Sequence, residues 1–152
     1  MIFLTVGTQF PFDRLVRTVD DLVASGVIQE DVFAQVGDDA YQPRSFQAVA
    51  SLDKKAFDEH VREASAIISH TGIGTITMAF DTGKPLLAMP RRKRYGEVVN
   101  DHQVAIARKF EQLGHLLVAY TPEELADKVR LLKDFRPKPR QVQPEAVVRR
   151  IA

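Results

Sequence analysis

Short apolar runs alternate with longer stretches of helical spacing along nearly the whole of this 152-residue chain, and glycines stand at many of the joints. Ile2 to Val6 predicts a buried strand stopped by Gly7. Phe12, Leu15, Val16, Val19, Leu22 and Val23 then recur at helical spacing, with Gly26 as the stop. Val32 to Val36 predicts a second strand, ended by Gly37, and Phe46 to Ala50 a weaker third. Asp53 to Ala64 predicts a helix with Phe57, Val61 and Ala64 on its inner face. Ala66 to Ser69 is the next strand, Thr75 to Thr82 a short helix ended by Gly83, and Pro85 to Met89 a further strand. A basic loop (Pro90 to Asn100) leads to a helix from Asp101 to Leu113, and Leu116 to Ala119 is the last strand. Thr121-Pro122-Glu123-Glu124 reads as a capping box with proline at the first helical position, opening a helix to about Lys133. Repeated strand–helix units predict an α/β chain: a parallel sheet with helices on both faces and right-handed crossovers. On such sheets ligands bind at the carboxyl ends of the strands. Three glycine-bearing turns fall at that end: Gly7-Thr8-Gln9, Gly37-Asp38-Asp39 and Gly72-Ile73-Gly74-Thr75.

Length and composition narrow the field. The chain suffices for one domain, expected over residues 1–135. A basic, proline-containing tail follows at 136–152, in which Pro144 to Ala152 could form a short terminal helix. There is no cysteine, so no disulfide framework or thiolate metal site exists. The net charge of +1 provides no global field for nucleic acid. No apolar run approaches the roughly 20 residues that span a bilayer. The N-terminal Met1 to Val6 lacks a basic region and reads as a strand, not a signal peptide. These features fit a cytoplasmic protein.

The richest stretch is Ile67 to Thr75, I-I-S-H-T-G-I-G-T. A strand that turns tightly into a helix start leaves backbone N–H groups without intrahelical partners, at the end where the macrodipole favours negative charge. Glycine there removes the side chain that would hold a ligand away. The expected ligand is a phosphate or pyrophosphate. The dinucleotide fingerprint is incomplete, because Thr77 stands where the third glycine belongs and the following strand runs into Pro90-Arg91-Arg92 without an acidic residue. No P-loop lysine is present. His70, just before the turn, is a candidate phosphate contact and equally a filler of the strand end. His60, His102 and His115 show no metal-ligand spacing. Asp101-His102-Gln103 opens a helix, where Asp101 suits an N-cap and the trio suits sugar hydroxyls. Arg91-Arg92-Lys93-Arg94 leaves a strand end beside the phosphate seat. This basic loop could meet a diphosphate, an acidic sugar or anionic headgroups, or could simply be solvated.

Three stretches resemble the carboxyl-terminal, donor-binding domain of glycosyltransferase family 28. They are Leu4 to Val16, Ile68 to Thr75 with Gly83 to Leu87, and Asp101 to Gln103. The resemblance implies a Rossmann-like sheet equivalent to the C-terminal half of a GT-B glycosyltransferase. It is strongest to short, stand-alone versions of the domain: soluble subunits of the dolichol-linked N-acetylglucosaminyltransferase and of bacterial capsule and exopolysaccharide enzymes. P-R-R-K-R-Y-G-E followed by D-H-Q is most similar to the exopolysaccharide group. The implied activity is inverting transfer of a sugar from a UDP-sugar to a lipid-linked acceptor, with no obligatory metal and no other cofactor. The diphosphate would lie on Gly72, Gly74 and Thr75 with His70 nearby, Gly7 and Thr8 would approach it, Asp101, His102 and Gln103 would face the sugar, and the uracil would lie near Leu52. Met78 stands where the family often carries an acidic residue for the ribose.

The physical task in such a transfer is to meet the negative charge that grows on the departing diphosphate. Prealigned N–H donors at a helix end do this, each worth roughly a hundred- to a thousandfold in rate in other enzymes. No general base is legible. One domain of a two-domain cleft is present, so the expected partner is a membrane-anchored subunit that carries the acceptor site and the base, with the tail after Pro137 as a strap. That partner would hold the chain at the cytoplasmic face of the membrane. The competing expectation is a nucleotide-binding scaffold without chemistry of its own.

Overall fold

The computed structural model describes residues 1–7 and 10–137. Thr8 and the expected terminal helix at 144–152 lie outside the described residues, as does most of the basic tail. Among the described residues the strands are β1 (Ile2–Thr5), β2 (Val32–Gln35), β3 (Gln47–Val49), β4 (Ala66–His70), β5 (Leu86–Met89) and β6 (Leu117–Val118). The helices are α1 (Asp13–Ala24), α2 (Lys54–Glu63), α3 (Ile73–Thr82), α4 (His102–Gln112) and α5 (Pro122–Leu132). Each strand and helix expected within the described residues is found at its place.

The strands form one parallel sheet in the order β3-β2-β1-β4-β5-β6. From β1 the chain builds outward through β2 and β3, returns to pair β4 with β1, and builds outward the other way. The loops after β1 and β4 therefore leave in opposite directions, and a crevice opens between them.

Alternation along each strand divides the core into two layers. Ile2, Leu4, Val6, Ile68, Leu87 and Met89 pack against α1 and α5 through Leu15, Val16, Val19 and Leu125. Phe3, Ile67, Leu86, Ala88 and Val118 face the other way, onto Val61 of α2, Ile76 and Ala79 of α3, and Ala107 of α4. The hydrophobic runs of the strands are thus covered on both faces, as a parallel sheet requires. His60 and His115 fill these layers: His60 stacks on Phe33 with centroids 4.3 Å apart, and His115 meets Phe80 edge-on at 4.8 Å.

Local chemistry sets the boundaries. Gly83 ends α3 in the left-handed conformation at φ 68°, a backbone state that disfavours a Cβ. At the start of α5, Thr121 Oγ1 accepts from the Glu124 N–H at 3.1 Å. The Glu124 carboxylate reaches one residue beyond the cap, accepting from the Tyr120 N–H at 3.0 Å. Two starts differ from expectation. Helix α3 begins at Ile73, not Thr75, because Gly72 is extended (φ −89°, ψ 141°) and its carbonyl already accepts from the Ile76 N–H at 3.0 Å. At α4, Asp101 holds the N-cap position without capping. Its carboxylate accepts from the Lys93 N–H at 2.9 Å, and Asn100 Oδ1 takes the His102 N–H instead.

A buried acid and a half-buried one pin the loops at the carboxyl end of the sheet. Asp20, 4% exposed, accepts from Tyr41 Oη at 2.6 Å and from the Arg44 and Ser45 N–H groups, fixing the loop after β2. Burial pushes the Asp20 carboxyl up, but these hydrogen bonds outweigh it and leave it below its ordinary value. Glu97 accepts from Arg14 Nε and NH2 at 2.9 and 3.0 Å and from the Arg92 N–H at 3.0 Å, tying the loop after β5 to α1. These anchors hold the walls of the crevice.

Candidate functional site

The crevice has a volume of about 560 Å³ and lies at the carboxyl ends of β1, β2, β4 and β5. Gly7, His70, Gly72, Gly74, Thr75, Arg91 and Gln103 all line it. The Ile73, Gly74 and Thr75 N–H groups at the start of α3 have no hydrogen-bond partner among the described residues. They are the orphan donors of a helix N-terminus, and Gly74 has open space above it: a Cβ there would meet nothing within 4 Å.

The other two glycines stand against His70. A Cβ on Gly7 would stand 2.7 Å from His70 Nε2, and one on Gly72 would stand 2.3 Å from His70 Cε1. Both glycines make room for the imidazole beside the crevice that they line. Gly7 also has φ 84°, so any side chain there is strained twice over. His70 is therefore clamped at the crevice floor, 9% exposed.

Of the two readings of the basic run, Arg91 departs from the solvated one: it is 3% exposed. Its NH2 group donates to the carbonyls of Val6, at 2.8 Å, and Phe10. NH1 donates to His70 Nδ1 at 3.1 Å, and the guanidinium lies 5.1 Å over the Phe12 ring. Gln103 Oε1 accepts from the Arg91 N–H at 3.1 Å, while Thr71 Oγ1 donates to the Gln103 carbonyl at 3.0 Å. Among the described residues Arg91 forms no ion pair, because Glu97 is engaged by Arg14, and its buried Nε has no partner. A buried cation with neither counter-ion nor full hydrogen bonding is costly. Burial lowers its pKa to about 10, against a weaker upward pull from Glu97, so it stays charged at neutral pH. The crevice thus joins an unpaired cation to free helix-end amides, and both call for an anion.

Burial, then the Arg91 charge, push the His70 pKa down to about 4, against a hydrogen bond with Gln103 that pulls it up. His70 is neutral in the folded chain at pH 7. Between pH 6.5 and about 4 the unfolded chain binds a proton at this position that the folded chain does not, so stability falls as pH falls through that window. The loss approaches about 3 kcal/mol. Urea unfolding at pH 7 and pH 4.5 should show this loss in the wild type and a smaller one in His70→Gln. The contribution of Asp20 disappears only at still lower pH, below the ordinary carboxylate range.

The remaining expected residues scatter. Of Asp101, His102 and Gln103, only Gln103 reaches the crevice; Asp101 and His102 are exposed outside its walls. Arg92, Lys93 and Arg94 do not line it either: Lys93 and Arg94 are exposed, and Arg94 donates to Tyr95 Oη at 2.9 Å. Leu52 does lie in the crevice, where it forms an apolar wall with Phe57 and Met78. Sequence reading missed Gln35, which lines the floor and whose Oε1 accepts from Thr5 Oγ1 at 2.7 Å. Polar residues ending two otherwise apolar strands were the available signal. Among the described residues no three His, Cys, Asp or Glu side chains gather to share a metal, and no helix is long and apolar enough to cross a membrane.

Comparison with known proteins agrees with this geometry. The mouse (Mus musculus) UDP-N-acetylglucosamine transferase subunit ALG13 is 32% identical over 126 residues, covering 75% of this chain. The chain spans about a tenth of the length of the mouse and human relatives that it matches. Among solved structures, the solution structure of ALG13 superposes with a TM-score of 0.62 at 20% identity, covering 95% of this chain and 91% of that one. MurG of Acinetobacter baumannii superposes with a TM-score of 0.61 at 22% identity, covering 88% of this chain and 43% of that one. The fold is that of one half of a GT-B glycosyltransferase. The model of the glycosyltransferase family 28 C-terminal domain matches residues 1–151, and the chain belongs to that family.

Proposed function

We propose that this chain is the donor-binding, catalytic subunit of an inverting glycosyltransferase that moves a sugar from a UDP-sugar to a lipid-linked acceptor. One observation carries the reading: the Gly74 and Thr75 amides at the start of α3 and the cation of Arg91, all unpaired among the described residues, open onto a single crevice. That arrangement suits a diphosphate, whose charge grows as the sugar–oxygen bond breaks. Main-chain donors and Arg91 would meet that charge without an obligatory metal. The apolar wall of Leu52, Phe57 and Met78 suits the nucleoside, with Met78 leaving the ribose to other partners. Gln103, with Arg91 on its carbonyl oxygen, retains its amide donor for the sugar.

UDP-N-acetylglucosamine is the first donor to test, because the mouse relative is named for it. An exopolysaccharide role rests on the Pro90 to Glu97 phrase followed by Asp101 to Gln103 alone. The acceptor site and general base belong to a membrane-anchored partner subunit, which would recruit the chain to the cytoplasmic face. A neutral, Arg91-bound His70 is a poor base for the acceptor, in keeping with a base on the partner.

Gly74→Ala tests the reading. The site has room for the methyl group and lies in the first turn of a helix, where alanine is tolerated better than glycine, so stability should be unchanged or rise by about 0.5 kcal/mol. The methyl group would stand where the diphosphate approaches, and UDP affinity should fall about tenfold or more, equivalent to about 1.4 kcal/mol. Calorimetry that found equal UDP affinity in Gly74→Ala and the wild type would remove the diphosphate from this helix end.

A further inference from the structure

The two nitrogens of His70 meet different surroundings. Nδ1 lies 3.1 Å from Arg91 NH1, and a guanidinium can only donate. Nδ1 must therefore accept, because an Nδ1–H would set two donors against each other. An imidazolium would add a second positive charge at the same contact. The guanidinium has no freedom to turn away: its other terminal nitrogen is held by the Val6 and Phe10 carbonyls, and its face lies on Phe12. Nε2 lies at the other side of the ring, where a Cβ on Gly7 would stand 2.7 Å and one on Gly72 2.8 Å from it, and both glycines line the crevice.

Resting on the diphosphate reading of the crevice, we infer that Arg91 is a positioning residue: it holds His70 as its Nε2–H tautomer and so makes the imidazole a hydrogen-bond donor, not a base, toward an anionic oxygen. The residue does this from a distance in sequence. Arg91 joins the ends of β1, β4 and β5, so the tautomer of His70 is set by the same contacts that close the sheet around the switch point. Gly7 and Gly72 complete the device by leaving room for the ring where a side chain would meet it. The low pKa of His70 is consistent with this arrangement.

The test is a long-range proton–nitrogen correlation spectrum of the full chain at pH 7, wild type and Arg91→Met, followed by titration with UDP and with pyrophosphate. In the wild type, His70 Nε2 should carry the proton and Nδ1 should not. In Arg91→Met a population with the proton on Nδ1 should appear, and affinity for both anions should fall about tenfold. A proton on Nδ1 in the wild type overturns the inference even if the variant fails to fold. So does an unchanged tautomer in a folded Arg91→Met chain. Failure of the wild type to bind either anion overturns the diphosphate reading instead, while the tautomer measurement alone decides what Arg91 does to His70.

Discussion

Gly72→Ala should destabilise the chain by about 2 kcal/mol, within the range for overpacking a filled site, although the backbone at Gly72 would accept any residue. Its φ and ψ are extended, so the cost is not conformational. It comes from the imidazole, whose Cε1 would stand 2.3 Å from the new methyl group. A flexible side chain would swing aside at little cost. His70 is buried and held through Nδ1, so the clash must move Arg91 as well. The partner experiment isolates the cause. In a His70→Ala background the same substitution should cost only about 0.5 kcal/mol, the residue of a poorer helix cap. The difference is a coupling free energy readable from a double-mutant cycle in urea. Equal costs in the two backgrounds would show that the glycine is needed for something other than the ring.

Arg91→Ala should have the larger effect. It leaves the carbonyls of Val6 and Phe10 and the Nδ1 of His70 without their donor, and unsatisfied buried acceptors cost about 1–3 kcal/mol each where water cannot replace the lost group. Relief of an unpaired buried charge opposes this. A net loss of about 3 kcal/mol follows, the three acceptors outweighing the relief. Thermal unfolding with and without UDP adds a second signature. The wild type should gain stability with UDP by mass action, and Arg91→Ala should gain much less. A stable Arg91→Ala chain with an undiminished response to UDP would mean that the guanidinium neither supports the crevice nor serves its ligand.

The sequence disclosed the architecture because each local signal agreed with the next. Apolar runs of strand length, helical spacing between them and glycine stops placed every strand, and they placed the carboxyl-end turns where a parallel sheet gathers ligands. The glycine turn after β4 was legible for the same reason, since its chemistry is local. Arg91 was not. Nothing within Arg91-Arg92-Lys93-Arg94 distinguishes the one residue that turns inward, because its acceptors at Val6 and Phe10 lie more than 80 residues earlier in the chain. The contact of His70 with Gly7 is hidden in the same way, being made only once β1 and β4 pair. Nor was Gln103 separable from Asp101. Asp101 precedes the first helical residue and its carboxylate is taken by the Lys93 N–H, a contact that no local pattern announces.

Most direct of all is a titration of the nitrogen-labelled chain with UDP, reading the backbone amide of every assigned residue. If the start of α3 is the diphosphate seat, the amides of Ile73, Gly74 and Thr75 should move furthest, and Gly74→Ala should move the midpoint of their response to about tenfold or more higher UDP. Saturation with UDP that left those three amides in place, or moved a different end of the sheet, would contradict the account.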